Sequence, residues 1–160
     1  MSVKRFRRLA IGGSFDLLHT GHEATLRKAF ALSERVLIGI TSDHFATSMG
    51  KKHKVEPYTH RVSELRAFLR HEELNDRAEI IPINSKFGVA DAEADLDAIL
   101  VSSERHPVAL DLNNAREKAG LKRLEIVLNE KLLAEDGGSF SSTRIRSREI
   151  DRRGRILKRL

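Results

Sequence analysis

Two histidines three residues apart, His19 and His22, close a stretch that reads Gly12-Gly13-Ser14-Phe15-Asp16-Leu17-Leu18-His19-Thr20-Gly21-His22. Ahead of it, Leu9, Ala10 and Ile11 read as the end of a strand. Behind it, Ala24, Leu26, Ala29, Phe30 and Leu32 recur at helical spacing. Thr20 and Glu23 have the spacing of a capping box, which predicts a helix starting at about Thr20. A strand, a glycine turn and a helix N-terminus together bind anions, because free backbone N–H groups and the positive end of the helix dipole face one point. Two imidazoles at that point suit an anion whose charge changes during reaction, since imidazole donates hydrogen bonds or carries a proton near neutral pH. The glycine spacing is not that of the dinucleotide fingerprint Gly-x-Gly-x-x-Gly.

The far end of the chain repeats this logic in Gly137-Gly138-Ser139-Phe140-Ser141-Ser142-Thr143-Arg144-Ile145-Arg146. Glycines lead into hydroxyl residues at a predicted helix start, with Ser141 as its cap. Ser142, Thr143 and the first helical N–H groups can hydrogen-bond phosphate oxygens. Arg144 and Arg146 follow within one turn.

Elements that alternate between strand and helix must bring these two stretches together. Val36–Ile40, Ile80–Ile83, Ala98–Val101 and Leu124–Leu128 are short apolar runs with the length and composition of strands. Val62, Leu65, Phe68 and Leu69 mark one helix; Ala109, Leu110, Leu112 and Ala115 mark another, with Pro107 in its first turn and Gly120 ending it. The order predicts one α/β domain over residues 1–150, a Rossmann-like, doubly wound parallel sheet with ligands at the carboxyl ends of its strands. The loops 42–58, 84–91 and 129–140 follow strands and therefore belong to the binding edge.

At 160 residues the chain is long enough to bury a core, and its 40% hydrophobic and 32% charged composition is that of a globular protein. No apolar run is long enough to span a membrane, and Lys4-Arg5-Phe6-Arg7-Arg8 is not followed by a signal-peptide core, so a cytoplasmic location is expected. The absence of cysteine excludes disulfides, thiolate zinc sites and thiol catalysis. The formal charge of +6 falls entirely between Arg144 and Leu160, and the rest of the chain is neutral. Residues 151–160 read as a basic tail. A nucleic-acid role for it is not favoured, because no aromatics interleave its arginines. His44, His53, His60, His71 and His106 form no metal-binding spacing, and no protein-held metal site is expected.

The two glycine-led motifs resemble those of the nucleotidylyltransferases, which carry His-x-Gly-His after the first strand and hydrophobic-Ser-Ser-Thr-x-x-Arg near the end. Over nearly the whole chain to Ile150 the sequence most resembles the archaeal/eukaryotic-type phosphopantetheine adenylyltransferases. Gly12–His19, Pro57-Tyr58-Thr59-x-Arg61-Val62-x-x-Leu65, Phe87-Gly88-Val89-Ala90-Asp91, Val101-Ser102-x-Glu104 and Asn113-x-x-Arg116 carry that likeness. The resemblance implies transfer of AMP from ATP to 4′-phosphopantetheine, giving dephospho-coenzyme A and pyrophosphate, with Mg²⁺ arriving on ATP. It implies that His19, His22 and Ser14 act at the reacting phosphates and that Gly12, Gly13 and Gly21 allow close approach. Asn113, Arg116, Ser141, Ser142 and Thr143 would bind the nucleotide, and Lys51 or Lys52 (with Lys54 a further choice) the acceptor phosphate. Ser14 stands where the family usually has Thr, and Arg105-His106-Pro107-Val108 departs from the family's usual Thr-Tyr. The alternatives on this scaffold are a cytidylyltransferase, against which the Ser-Ser-Thr ending counts, and an FAD-forming adenylyltransferase. An alternative of another class is a nucleotide-sensing domain that binds nucleic acid through the tail.

Overall fold

In the computed structural model, which describes residues 3–48 and 54–157, the apolar runs become five strands. They are β1 (Phe6–Gly13), β2 (Ser33–Thr41), β3 (Ala78–Ile83), β4 (Ala98–Ser102) and β5 (Glu125–Asn129). Among the described residues they are accompanied by five α-helices, α1 (Thr20–Leu32), α2 (Asp43–Ser48), α3 (Tyr58–His71), α4 (His106–Lys118) and α5 (Ser142–Arg146), and by two short 3-10 turns at Asn75–Arg77 and Ser103–Arg105. The strands lie in the order β3-β2-β1-β4-β5 and all neighbours are parallel.

Residue alternation along the strands sorts the core into two layers. Leu9, Ile11, Val36, Ile38 and Ile40 face α1 and α3 and pack on Leu26, Phe30, Leu65 and Leu69. Ala10 and Leu37 face the other way, toward Leu112 of α4 and toward Ala90, Leu96 and Leu124. A sheet covered on both faces opens to ligands only at its edges and strand ends. The ladder between β1 and β2 runs from Phe6 to Gly13, whereas β1 meets β4 only at Leu9–Ala98 and Ala10–Ile99. The two central strands therefore part toward their carboxyl ends, where the strand order reverses.

Pro107 lies in the first turn of α4 and Gly120 follows its end at φ +78°, as the sequence predicts. Three expectations need correction. The capping box of α1 is made by His19 and His22, not by Thr20 and Glu23: each imidazole Nδ1 accepts from the other residue's backbone N–H. The stretch after β2 carries a short helix, α2, whose first residue Asp43 accepts from the N–H of Tyr58 at 2.8 Å. The segment that reads as a basic tail folds back as far as it is described. Ile150 is fully buried and bridges to Ile156, and Asp151 accepts from the N–H groups of Arg153 and Arg155.

Candidate active site

A cleft of about 620 Å³ occupies the place where β1 and β4 part, within the size range of small-ligand sites. The ends of all five strands reach its wall: Gly12 and Gly13, Gly39 and Thr41, Ile81 and Ile83, Val101 and Ser102, and Asn129. Ser14, His19, Gly21 and His22 come from the first motif, and Phe140, Ser141 and Ser142 from the second. One end of the cleft is polar. The other is apolar, formed by Leu37, Ile81, Ile83, Phe87 and Leu112.

The paired histidines are held on several sides. Their rings stack with centroids 3.6 Å apart, and the outer face of His19 stacks on Phe140 at 4.6 Å. His22 Nδ1 accepts from His19 N at 3.2 Å, and His19 Nδ1 accepts from His22 N at 3.3 Å. With both Nδ1 atoms accepting, each neutral ring carries its proton on Nε2. Burial pushes His19 down to about 4, helped by the Arg152 charge and opposed by Asp16. Burial pushes His22 down to about 3, helped by His19 and again opposed by Asp16. Both are neutral hydrogen-bond donors at neutral pH, not cations. Gly21 between them is sterically required: a Cβ there would lie 2.9 Å from His19 Cε1.

The second motif enters the cleft through a much shorter element. Ser141 caps α5, its Oγ accepting from Arg144 N at 3.2 Å. Arg144 does not face the cleft; it pairs with Asp136 and Glu149. Arg146 reaches across to the first motif, donating to Asp16 Oδ2 at 2.8 Å and to Glu56 Oε1 at 3.2 Å. Asp16 is 3% exposed and also accepts from Glu56 N at 2.9 Å. Burial alone would raise its carboxyl, but the hydrogen bonds from Arg146 and Glu56 N hold it below the ordinary range. Arg61, 1% exposed, completes the knot by donating to Ser14 O, Glu56 O and Asp43 Oδ1. A buried guanidinium in a fork of carbonyls fixes the turn that follows β1, where Phe15 and Leu17 both take positive φ.

The structure thus brings together Gly12, Gly13, Ser14, His19, Gly21, His22, Ser141 and Ser142. Thr143 is exposed and lies outside the cleft wall. Asn113 and Arg116, expected to touch the nucleotide, are corrected: both are buried in the far layer. Asn113 pairs through its amide with the backbone N–H and C=O of Leu124, fixing the entry to β5. Arg116, 0% exposed, donates to the carbonyls of Ala90, Glu93 and Lys122. Its contribution to the cleft is indirect, through the loop that carries Phe87, Val89 and Ala90. Lys51 and Lys52 lie outside the described residues.

Sequence reasoning gave no site role to three cations on the cleft wall, Lys86, Lys131 and Arg105, the last noted only as a departure from the family pattern. Lys86 pairs with Asp111 at 3.0 Å and Lys131 with Glu104 at 2.8 Å. Each of the three follows a strand end by two or three residues. The rule that ligands sit beyond the carboxyl ends of parallel strands would have picked them out.

A parallel sheet split at its switch point, with a histidine-capped helix on one lip and a serine-capped turn on the other, is the frame of a nucleotidyl-transfer fold. A family model described as cytidylyltransferase-like matches residues 10–148, and the chain belongs to this family. Its relatives include proteins named phosphopantetheine adenylyltransferase. That of Methanopyrus kandleri is 43% identical over 149 residues, covering 93% of this chain and 94% of the relative. That of Methanosarcina mazei is 44% identical over 154 residues, covering 94% and 97%. Among solved structures, a protein of unknown function from Archaeoglobus fulgidus superposes with a TM-score of 0.68 at 26% identity, over 84% of this chain and 99% of that one.

Proposed function

We propose that the chain is an adenylyltransferase that joins ATP to 4′-phosphopantetheine, releasing pyrophosphate and dephospho-coenzyme A. The observation that carries this reading is one cleft holding both the neutral His19–His22 pair and the Ser141–Ser142 turn, in a chain over 40% identical to relatives bearing that name. The acceptor is a phosphate monoester, already anionic, so no base is needed to make the nucleophile. One of its oxygens attacks the α-phosphorus in line; the bond from that phosphorus to the bridging oxygen breaks, and the electron pair leaves with pyrophosphate.

The protein's task is then alignment and charge stabilisation. The Nε2–H groups of His19 and His22 donate to phosphate oxygens whose charge grows as the bond breaks. Because their Nδ1 atoms are engaged by backbone, the donors are set before substrate arrives. Ser14 acts where the two phosphates meet; the N–H groups of His19, Thr20 and His22 do not join it, being taken by His22 Nδ1, Arg152 O and His19 Nδ1. Ser141 and Ser142 hold the β- and γ-phosphates, and Lys131 and Arg105 balance the triphosphate charge from the opposite lip. Lys51 or Lys52 binds the acceptor phosphate. The apolar end of the cleft suits an uncharged aliphatic arm.

The residues present fit Mg²⁺ carried in on the triphosphate. Among the described residues no three acidic or histidine side chains converge on one point. The cleft carboxylates Asp16 and Glu104 are engaged by Arg146 and Lys131, so an ion carried by ATP would be held chiefly by phosphate oxygens and water. Such an ion would supply positive charge to the triphosphate.

The test is pyrophosphate release by the purified protein from ATP or CTP, with 4′-phosphopantetheine, glycerol 3-phosphate or flavin mononucleotide as acceptor. ATP with 4′-phosphopantetheine is expected to exceed every other pair by about tenfold or more. A faster reaction with another acceptor, or with CTP, would overturn the reading.

A further inference from the structure

The family model matches as far as residue 148, and the segment beyond that point touches both neighbours of His19 in the chain and the ring that stacks on it. The carbonyl of Arg152 accepts from Thr20 N at 2.9 Å and from Thr20 Oγ1 at 3.2 Å. Its guanidinium donates to Leu18 O at 3.4 Å and forms an ion pair with Glu64 of α3. One residue therefore holds the main chain on both sides of His19, and α3 in turn anchors that residue.

Two positions later Gly154 lies behind Phe140, the ring that stacks on His19. A Cβ at Gly154 would fall 2.7 Å from Phe140 Cε2 and 3.3 Å from the backbone of Ala134, at a φ of +80° that strains any other residue. The segment is itself well fixed. Besides the Ile150–Ile156 bridge, Glu135 N donates to Gly154 O at 2.8 Å and Leu157 N to Glu149 O at 3.0 Å.

We propose that residues 150–157 form a strap that positions the His19–His22 pair, with Arg152 as the positioning residue and Gly154 as the seat for Phe140. This rests on the reading of those histidines as the phosphate-facing donors. The segment's basic character then serves the catalytic frame, since Arg152 spends its charge on Glu64 and on a carbonyl beside His19. The Arg152 cation also faces His19 from the strap side, while Asp16 faces it from the turn after β1 and His22 from its own helix.

The experiment compares full-length Arg152→Ala and Arg152→Lys with the parent by steady-state kinetics, thermal unfolding and NMR titration of the His19 ring nitrogens. Removing the guanidinium is expected to lower kcat by roughly ten- to a hundredfold, the scale of a small misplacement of reacting groups, with the KM for ATP within about twofold. His19 should titrate closer to its ordinary value in Arg152→Ala, because a facing cation is gone and Asp16 remains. Arg152→Lys keeps the charge but lacks the planar fork, so His19 should stay depressed while kcat still falls. Gly154→Ala, which leaves every charge in place, should likewise lower kcat. If both Arg152 variants keep kcat within about twofold of the parent and only melt earlier, the strap is a staple for stability and the proposal is wrong. Should Arg152→Ala fail to fold, Arg152→Lys decides by the same split between kcat and KM. A parent that makes no dephospho-coenzyme A would defeat the proposed function separately. The strap would then stand or fall on the His19 titration in Arg152→Ala, and an unmoved His19 would overturn it.

Discussion

The helix starts α1 and α5 are built on one plan and differ in what stands behind them. In each, a polar side chain at the cap accepts from the backbone N–H three residues on: His19 from His22, Ser141 from Arg144. Behind the first, α1 runs for 13 residues and buries Leu26, Ala29 and Phe30. Behind the second, α5 runs for five and buries no side chain, so it is held instead by the ion pairs of Arg144 and Arg146. A long, packed helix gives fixed donors, which is what stabilising a transient charge requires. A short helix on ion pairs can adjust, which suits the grip on a leaving group that must later depart.

The sharpest way to break this contrast is His22→Ala. It is expected to cut turnover by roughly 10²–10³-fold, the scale of losing one preorganised donor, while ATP affinity changes far less. Melting temperature, nucleotide affinity and single-turnover rate measured on one preparation check it. A folded, ATP-binding variant that turns over near the parent rate would remove His22 from the chemistry.

The second test is acid. Both histidines titrate lower in the folded protein than the unfolded value of about 6.5, at about 4 and about 3. The unfolded chain therefore binds more protons in between. Their contribution to stability is complete above the unfolded value and is lost progressively as pH falls through the two folded ones. Urea midpoints taken stepwise from pH 7 to 4 should decline, and more shallowly in His22→Ala. A slope identical in variant and parent would mean that the pair does not govern the acid response.

The smallest effect belongs to the second motif. Ser141→Ala removes one helix cap and should cost about 1 kcal/mol of stability, with the KM for ATP rising by no more than about fivefold. If it lowers kcat as deeply as His22→Ala does, the two helix starts are not a fixed and an adaptable partner.

The parts of this arrangement legible in the sequence are those set by local chemistry. Short Val- and Ile-rich runs gave the strands to within a few residues. Ser141 ahead of an arginine-rich turn read directly as a cap, and Pro107 and Gly120 bracketed α4. What escaped was set by partners distant in the chain. Asn113 and Arg116, a turn apart, are implied as nucleotide contacts by the family resemblance, and nothing nearby in the sequence shows that the carbonyls of Leu124, Ala90 and Glu93 claim them. His19 and His22 were visible as reactive groups but not as each other's caps, because histidine is not a customary capping residue and the spacing Thr20–Glu23 offered a more familiar one. The strap was hidden by its charge: eight basic residues obscured Asp151 and Gly154, whose side-chain acceptor and positive φ turn the chain back.

The bond between Asp16 and Arg146 spans 130 positions, and this separation orders events in time. A chain emerging from the ribosome completes β1 and α1 long before Arg146 exists, and closing so wide a loop is among the entropically costlier steps of folding. Until Arg146 is made, Asp16 is a carboxylate without that cation, and the turn that carries Ser14 lacks one of its ties. The turn after β1 is thereby completed only once a residue 130 positions further along has been made.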